Sequence, residues 1–136
     1  MLIPAAAEED GSKVFYLKMK GDYFRYMCEF LSGEEKQANS DKALEAYDQA
    51  FSVACATQKV FDPVRLGLAL NFSVFHFEIR NEPQKACEMA KKAFNDAIND
   101  MEEDGGDHKD ATLILQLLKD NISLWTQDLE EEQAAD

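Results

Sequence analysis

Residues 65–79, RLGLALNFSVFHFEI, form a helix-length segment that is apolar on nearly every side. Past its opening arginine only Asn71, Ser73, His76 and Glu78 interrupt it. A helix without a polar face must be buried all round, so the rest of the chain has to supply neighbours on several sides. Asn71 and Glu78 are seven residues apart, two turns along one side with Val74 between them. Burying an amide or a carboxylate without a partner costs about 1–3 kcal/mol or more per group. This stripe is therefore expected to meet internal partners or a ligand.

The neighbours are all helices. The spacing and capping residues predict five: about 10–31, stopped by Ser32-Gly33; about 39–59, opened by Asn39 and Ser40; 63 to about 80; 83 to about 101; and about 110–128. Asp62-Pro63 supplies an N-cap followed by proline at the first helical position, and Pro83 repeats that logic. No sustained two-residue alternation between hairpin turns occurs, so the fold class is all-α, an antiparallel bundle or array of about five helices. KALEAYDQAF (42–51) and KACEMAKKAF (85–94) share lysine, alanine, glutamate and an Ala-Phe pair, the small residues admitting a close neighbour as in stacked helical hairpins. Coincidence between two amphipathic helices explains the match equally well.

Composition narrows the chemistry. The 136 residues, 46% hydrophobic and 30% charged, make one domain over 1–128, with five acids in the last nine residues forming a solvated tail from 129. No run of 18 apolar residues is present, and the acidic MLIPAAAEEDG lacks the pattern of a signal peptide. Cys28, Cys55 and Cys87 are then expected to be reduced thiols in a cytoplasmic protein. With two histidines and no CxxC pair, no metal site and no cofactor is expected. The loop from Asp100 matches calcium-loop positions through Gly105 but places Ala111 where a bidentate glutamate is required, so it reads as a solvated loop. No nucleophile elbow or glycine-rich phosphate loop occurs, so no enzymatic activity is expected. A net charge of −13 argues against nucleic acid and anionic membranes as partners. Against that background Lys13, Lys18, Lys20 and Arg25 gather in one segment. They suit an anion site or ordinary ion pairing, with Asp22 and Glu29 at helical spacing from Arg25.

SKVFYLKMKGDYFRY (12–26), DPVRLGLALNFSVFHFEI (62–79) and DATLILQLLKDNISLWTQD (110–128) closely resemble, in order, the last five helices of 14-3-3 proteins. Leu2-Ile3-Pro4 is similar to the end of the helix that precedes those five. The resemblance implies a non-enzymatic adaptor that binds phosphoserine or phosphothreonine segments of other proteins in an amphipathic groove. It assigns the phosphate to Arg25 and Tyr26, with Lys18 lining the groove near them. A guanidinium fork and a phenol suit a phosphate dianion, because charge-assisted bonds are the strong ones. By the same resemblance Asn71 and Asn121 bond the peptide main chain, a task that suits an amide's paired donor and acceptor. Leu70, Val74, Ile114, Leu117 and Leu124 match the groove's apolar wall, where plain core packing is the competing reading. Glu78 matches a groove glutamate, and Trp125 matches a tryptophan whose N–H reaches the peptide, against its alternative as a packing anchor. Phe24, Phe77 and Met27-Cys28 depart from the family's usual residues without removing a predicted ligand.

The family's first four helices, with its dimer interface and two further phosphate-binding basic residues, have no match here. Each absent charge-assisted contact is worth about 1.5–3 kcal/mol, so weak or undetectable phosphopeptide binding by this chain alone is expected. The face those helices would cover is expected to be exposed and apolar, favouring self-association. A helical scaffold of the TPR kind for unmodified peptides, and an inactive structural fragment, remain alternative readings of the residues.

Overall fold

The computed structural model describes residues 12–106 and 108–135, and among them it contains five α-helices and no strand. They are α1 (Ser12–Cys28), α2 (Gly33–Thr57), α3 (Pro63–Glu78), α4 (Pro83–Asp104) and α5 (Lys109–Ala135). The start expected near residue 10 and the Leu2-Ile3-Pro4 segment lie outside the described residues. Packing groups the chain into two compact units, Met1–Lys59 and Val60–Asp136, within the span expected to form one domain.

In the first unit α1 packs on α2. Cys28 lies against Lys36, Phe24 against Lys42 and Gly21 against Tyr47, so positions rise on one helix as they fall on the other, and the pair is antiparallel. The close approach needs a glycine. A Cβ at Gly21 would come within 2.7 Å of the Tyr47 ring, so the bare backbone there is what admits it. Val14, Leu17 and Cys28 from α1 and Ala43, Ala46, Tyr47, Ala50 and Ala54 from α2 are buried.

Ser32-Gly33, expected to close α1, instead opens α2. Reverse turns from Glu29 to Tyr26 and from Phe30 to Met27 end the first helix, Ser32 is extended at the N-cap, and Gly33 takes a left-handed φ of 59°. Glu34 and Glu35 then fill the first turn, where carboxylates favour the helix dipole. Asn39, expected as a cap, sits inside the helix and donates its side-chain amide to the Glu35 carbonyl.

The second unit is a three-helix arrangement in which α3, α4 and α5 each touch the other two. Phe61 meets His108 and Phe77 stacks on Trp125, so α3 and α5 run parallel, with α4 reversed between them in sequence. The core comprises Leu66, Ala86, Cys87, Ala90, Ala97, Ala111, Leu115, Leu118 and Trp125. Asp62 caps α3 as expected, its carboxylate accepting from the Val64 N–H at 2.8 Å. Two boundaries move outward. Helix α4 continues to Asp104, where Gly105 caps it in the left-handed conformation, and His108 Nε2 stands 3.1 Å from Asp104 Oδ2, so the expected solvated loop is partly helix and partly anchored. Helix α5 continues past Asp128 to Ala135, with half-buried Leu129 packed on the core, so the expected acidic tail is largely helical.

The all-round apolar segment behaves as its composition demands. Across 65–79 every residue but Glu78 is buried or half-buried. The two similar ten-residue stretches also bury corresponding positions, Ala43 with Ala86 and Tyr47 with Ala90. No described helix is long and apolar enough to cross a membrane.

Candidate anion site and peptide-facing residues

On α1 two of the four cationic residues, Lys18 and Arg25, converge on one carboxylate. Lys18 Nζ donates to Asp22 Oδ2 at 3.1 Å, one turn along the helix. The hydroxyl of Tyr47, reaching across from α2, donates to Asp22 Oδ1 at 2.5 Å. Arg25 Nε in turn donates to the same hydroxyl at 3.2 Å, and its Nη2 stands 3.8 Å from Asp22 Oδ1. The guanidinium carbon lies over the Tyr26 ring, 4.8 Å from its centroid.

Arg25 is thus a buried cation, 8% exposed, beside a phenol, Tyr26, that is 52% exposed. Burial works to lower the arginine's pKa, but the charge and hydrogen bond of Tyr47 and the charge of Asp22 outweigh it, leaving it above its ordinary value. Burial first, then the hydrogen bond and charge of Asp22, push the Tyr47 phenol upward, so it keeps its proton and remains a donor. Ion pairing with Asp22, rather than with Glu29, is therefore real in this chain. It does not exclude an anion role: the terminal guanidinium nitrogens make no hydrogen bond among the described residues.

Tyr47 is not among the residues that the sequence singles out. Its signal is present in KALEAYDQAF, where an aromatic interrupts a row of buried alanines one helical face away from Phe51. Nothing in the spacing links it to Gly21 and Arg25, because that link is a tertiary contact.

On α3 the expected stripe is the helix's less buried side. Leu70, Asn71 and Val74 are half-buried, Leu70 and Val74 pack partly on the core, and Glu78 is exposed. Being exposed, Glu78 carries no desolvation cost, contrary to the expectation from its apolar surroundings in sequence. The polar groups that are fully buried in this helix are Ser73, which donates to the Leu70 carbonyl at 2.7 Å, and His76, whose Nδ1 stands 3.5 Å from Glu82 Oε1.

Helix α5 divides the residues assigned to it. Leu117 and Leu124 are more than half exposed and Asn121 is half-buried on the same stripe. Leu113, one turn before Leu117, extends that stripe and is also exposed, and its i−4 spacing would have found it. Ile114 packs partly on the core. Trp125 goes inward: it is 4% exposed and stacks on Phe77 with centroids 4.9 Å apart, which makes it a packing anchor.

Among the described residues no His, Cys, Asp and Glu group is placed to hold a metal ion. Cys28 and Cys87 are buried free thiols, and burial raises Cys28 above the usual thiol range, against a smaller opposing effect of Lys36.

Among the described residues the chain is helical, with a buried, carboxylate-braced arginine next to an exposed tyrosine. A family model for 14-3-3 protein matches residues 1–126, and the chain belongs to that family. It is 52% identical over 137 residues to the 14-3-3-like protein GF14 chi of Arabidopsis thaliana, covering 100% of this chain and 51% of that protein. It is 53% identical over 135 residues to the checkpoint signal transducer rad24 of Schizosaccharomyces pombe, covering 98% and 50% respectively. A 14-3-3 protein of Eimeria tenella is 52% identical over 133 residues, covering 97% of this chain and 48% of its own length. The chain spans about half the length of these curated relatives.

Proposed function

We propose that this chain is a phosphoserine- or phosphothreonine-peptide-binding module of a non-enzymatic adaptor, acting in the cytoplasm on the phosphorylated segments of other proteins. The observation that carries the reading is Arg25, a guanidinium already desolvated and braced by Tyr47 and Asp22, one residue from the exposed phenol of Tyr26. Such a pair offers a dianion two donors from a single helical turn, without the cost of drying the arginine at the moment of binding. Lys18 adds a third donor, the second positive one, tied to the same carboxylate. Asn71 and Asn121 are assigned to the peptide main chain, and Leu70, Val74, Ile114, Leu117 and Leu124 to its side chains, with Glu78 at the end of the α3 stripe. Trp125 supports this set from within the core.

The affinity of the isolated chain is weaker than micromolar, because two basic contacts of the family's phosphate cluster have no counterpart here. Titration of the 136-residue chain with a phosphoserine peptide, followed by calorimetry and by backbone NMR, is expected to move Arg25 and Tyr26 at millimolar ligand. Arg25→Ala is expected to abolish the response. Equal responses to the unphosphorylated peptide would replace this reading with a scaffold for unmodified segments, and a micromolar or tighter phosphate-dependent affinity would overturn the predicted weakness. The apolar residues exposed along α1 favour self-association of the chain.

A further inference from the structure

We propose that Tyr47 is a positioning residue for the anion site: it holds the Arg25 guanidinium in the one orientation that leaves its terminal nitrogens for phosphate. This rests on the function proposed above. The hydroxyl of Tyr47 has a single proton, and Asp22 Oδ1 accepts it. A lone pair is thereby turned toward Arg25, whose Nε–H it receives at 3.2 Å. Of the guanidinium's five N–H groups, the one on Nε is the one committed; Nη2, 3.8 Å from Asp22, feels the carboxylate's charge without a hydrogen bond. The guanidinium carbon also packs over the Tyr26 ring, 4.8 Å from its centroid. Lys18 ends on the other oxygen of the same Asp22, so both cations assigned to phosphate are hung from one anchor.

Tyr47 can serve because its ring does not move. It is fully buried, and it lies against the backbone of Gly21, where a Cβ would sit 2.7 Å from two ring carbons. The glycine in the middle of α1 thus fixes the depth at which a hydroxyl from α2 meets an arginine on α1. Neither Tyr47 nor Gly21 is a predicted ligand contact, and this distinguishes them from Arg25, Tyr26 and Lys18.

The test uses the 136-residue chain and its Tyr47→Phe variant, which keeps the ring, with O-phosphoserine and a phosphoserine peptide as probes. In the wild type the Arg25 Nε–H, held by the Tyr47 hydroxyl, is expected to give a resolved NMR signal. In Tyr47→Phe it is expected to collapse into the exposed arginine signals while the backbone spectrum of α1 and α2 is retained. Phosphopeptide affinity is expected to fall by about tenfold, the effect of one misplaced charge-assisted contact. Gly21→Ala, which keeps the hydroxyl and displaces the ring, is expected to weaken binding in the same direction. An unchanged Arg25 signal in Tyr47→Phe, or phosphopeptide affinity within twofold of wild type, overturns the proposal. A wild-type chain that shows the ordered Arg25 signal and no response to phosphopeptide overturns the function proposed above, while the Arg25 signal still decides whether Tyr47 holds the guanidinium.

Discussion

The two units use their residues differently. In the second, three helices close around aliphatic side chains and Trp125, and the exposed leucines Leu113, Leu117 and Leu124 are confined to one stripe of α5. In the first, two helices share an alanine-rich seam, and the large side chains go outward: Phe15, Met19, Tyr23, Tyr26 and Phe30 are all more than half exposed, Phe30 at 81%. Inside the first unit, beside Val14, Leu17, Cys28 and the alanines, lies a polar network of Asp22, Tyr47 and Arg25. A hairpin that buries alanines gains little from the hydrophobic effect per residue, since alanine has little apolar surface to remove from water. The second unit is thus organised by packing, and the first by polar geometry with an apolar face left for something else.

Trp125→Ala should break that contrast most strongly. It removes the largest side chain of the second unit's core and its stack on Phe77, and a loss of about 3–5 kcal/mol is expected, read from chemical denaturation. If the tryptophan faced ligand rather than core, the loss would be a fraction of that.

Alkali should sharpen it from the other side. Tyr47 and Cys28 both belong to the first unit, and in both the folded pKa is raised, chiefly by burial, above ordinary values of 10.0 and 9.0. The folded chain therefore holds protons that the unfolded chain gives up, and by linkage stability falls as pH rises. Their contribution is intact below about pH 9 and declines above it, with a slope approaching about 1.4 kcal/mol per pH step for each proton so retained. Hydrogen exchange at α1 and α2 should speed up above about pH 9 before the fluorescence of Trp125 reports any change in the second unit. Simultaneous loss of both signals would show that the network does not set the first unit's stability.

The smallest effect on stability, and a large one on assembly, is expected from the outward face of α1. Met19→Lys with Tyr23→Lys should change unfolding free energy by no more than about 0.5 kcal/mol, as exposed substitutions do. In sedimentation the wild type is expected to associate at high concentration and the double variant to remain monomeric. A wild type that is monomeric throughout would mean that this exposed stripe is not adhesive.

Local chemistry makes much of this legible in advance. Asp62-Pro63 announces the start of α3 because capping and proline act within three residues, and the apolar run after it can only be a buried helix. Ser32-Gly33 misleads because glycine serves both ends of a helix, and only the geometry of Glu29 and Phe30 shows which end is being served. The acidic C-terminal residues read as tail from charge alone, yet Leu129 continues the apolar stripe of α5 and carries the helix outward. Of the candidate site, Lys18 and Arg25 are visible as part of a cationic cluster with Lys13 and Lys20, and Tyr26 enters only through the family resemblance. Tyr47 is invisible, because its part depends on a contact between residues 22 positions apart. Trp125 is visible but ambiguous, since an aromatic on an amphipathic stripe reads the same facing in or out until its neighbour Phe77 is placed.

Keeping Arg25 out of water has a thermodynamic consequence of its own. The cost of drying that charge falls on folding, where Asp22 and Tyr47 offset it. An oxyanion that binds the folded unit and ignores the unfolded chain adds to that balance, so ligand and fold are linked: about ten dissociation constants' worth of ligand adds about 1.4 kcal/mol. On the function proposed above, a phosphorylated segment that docks on this arginine is also, for as long as it stays, a stabiliser of the first unit.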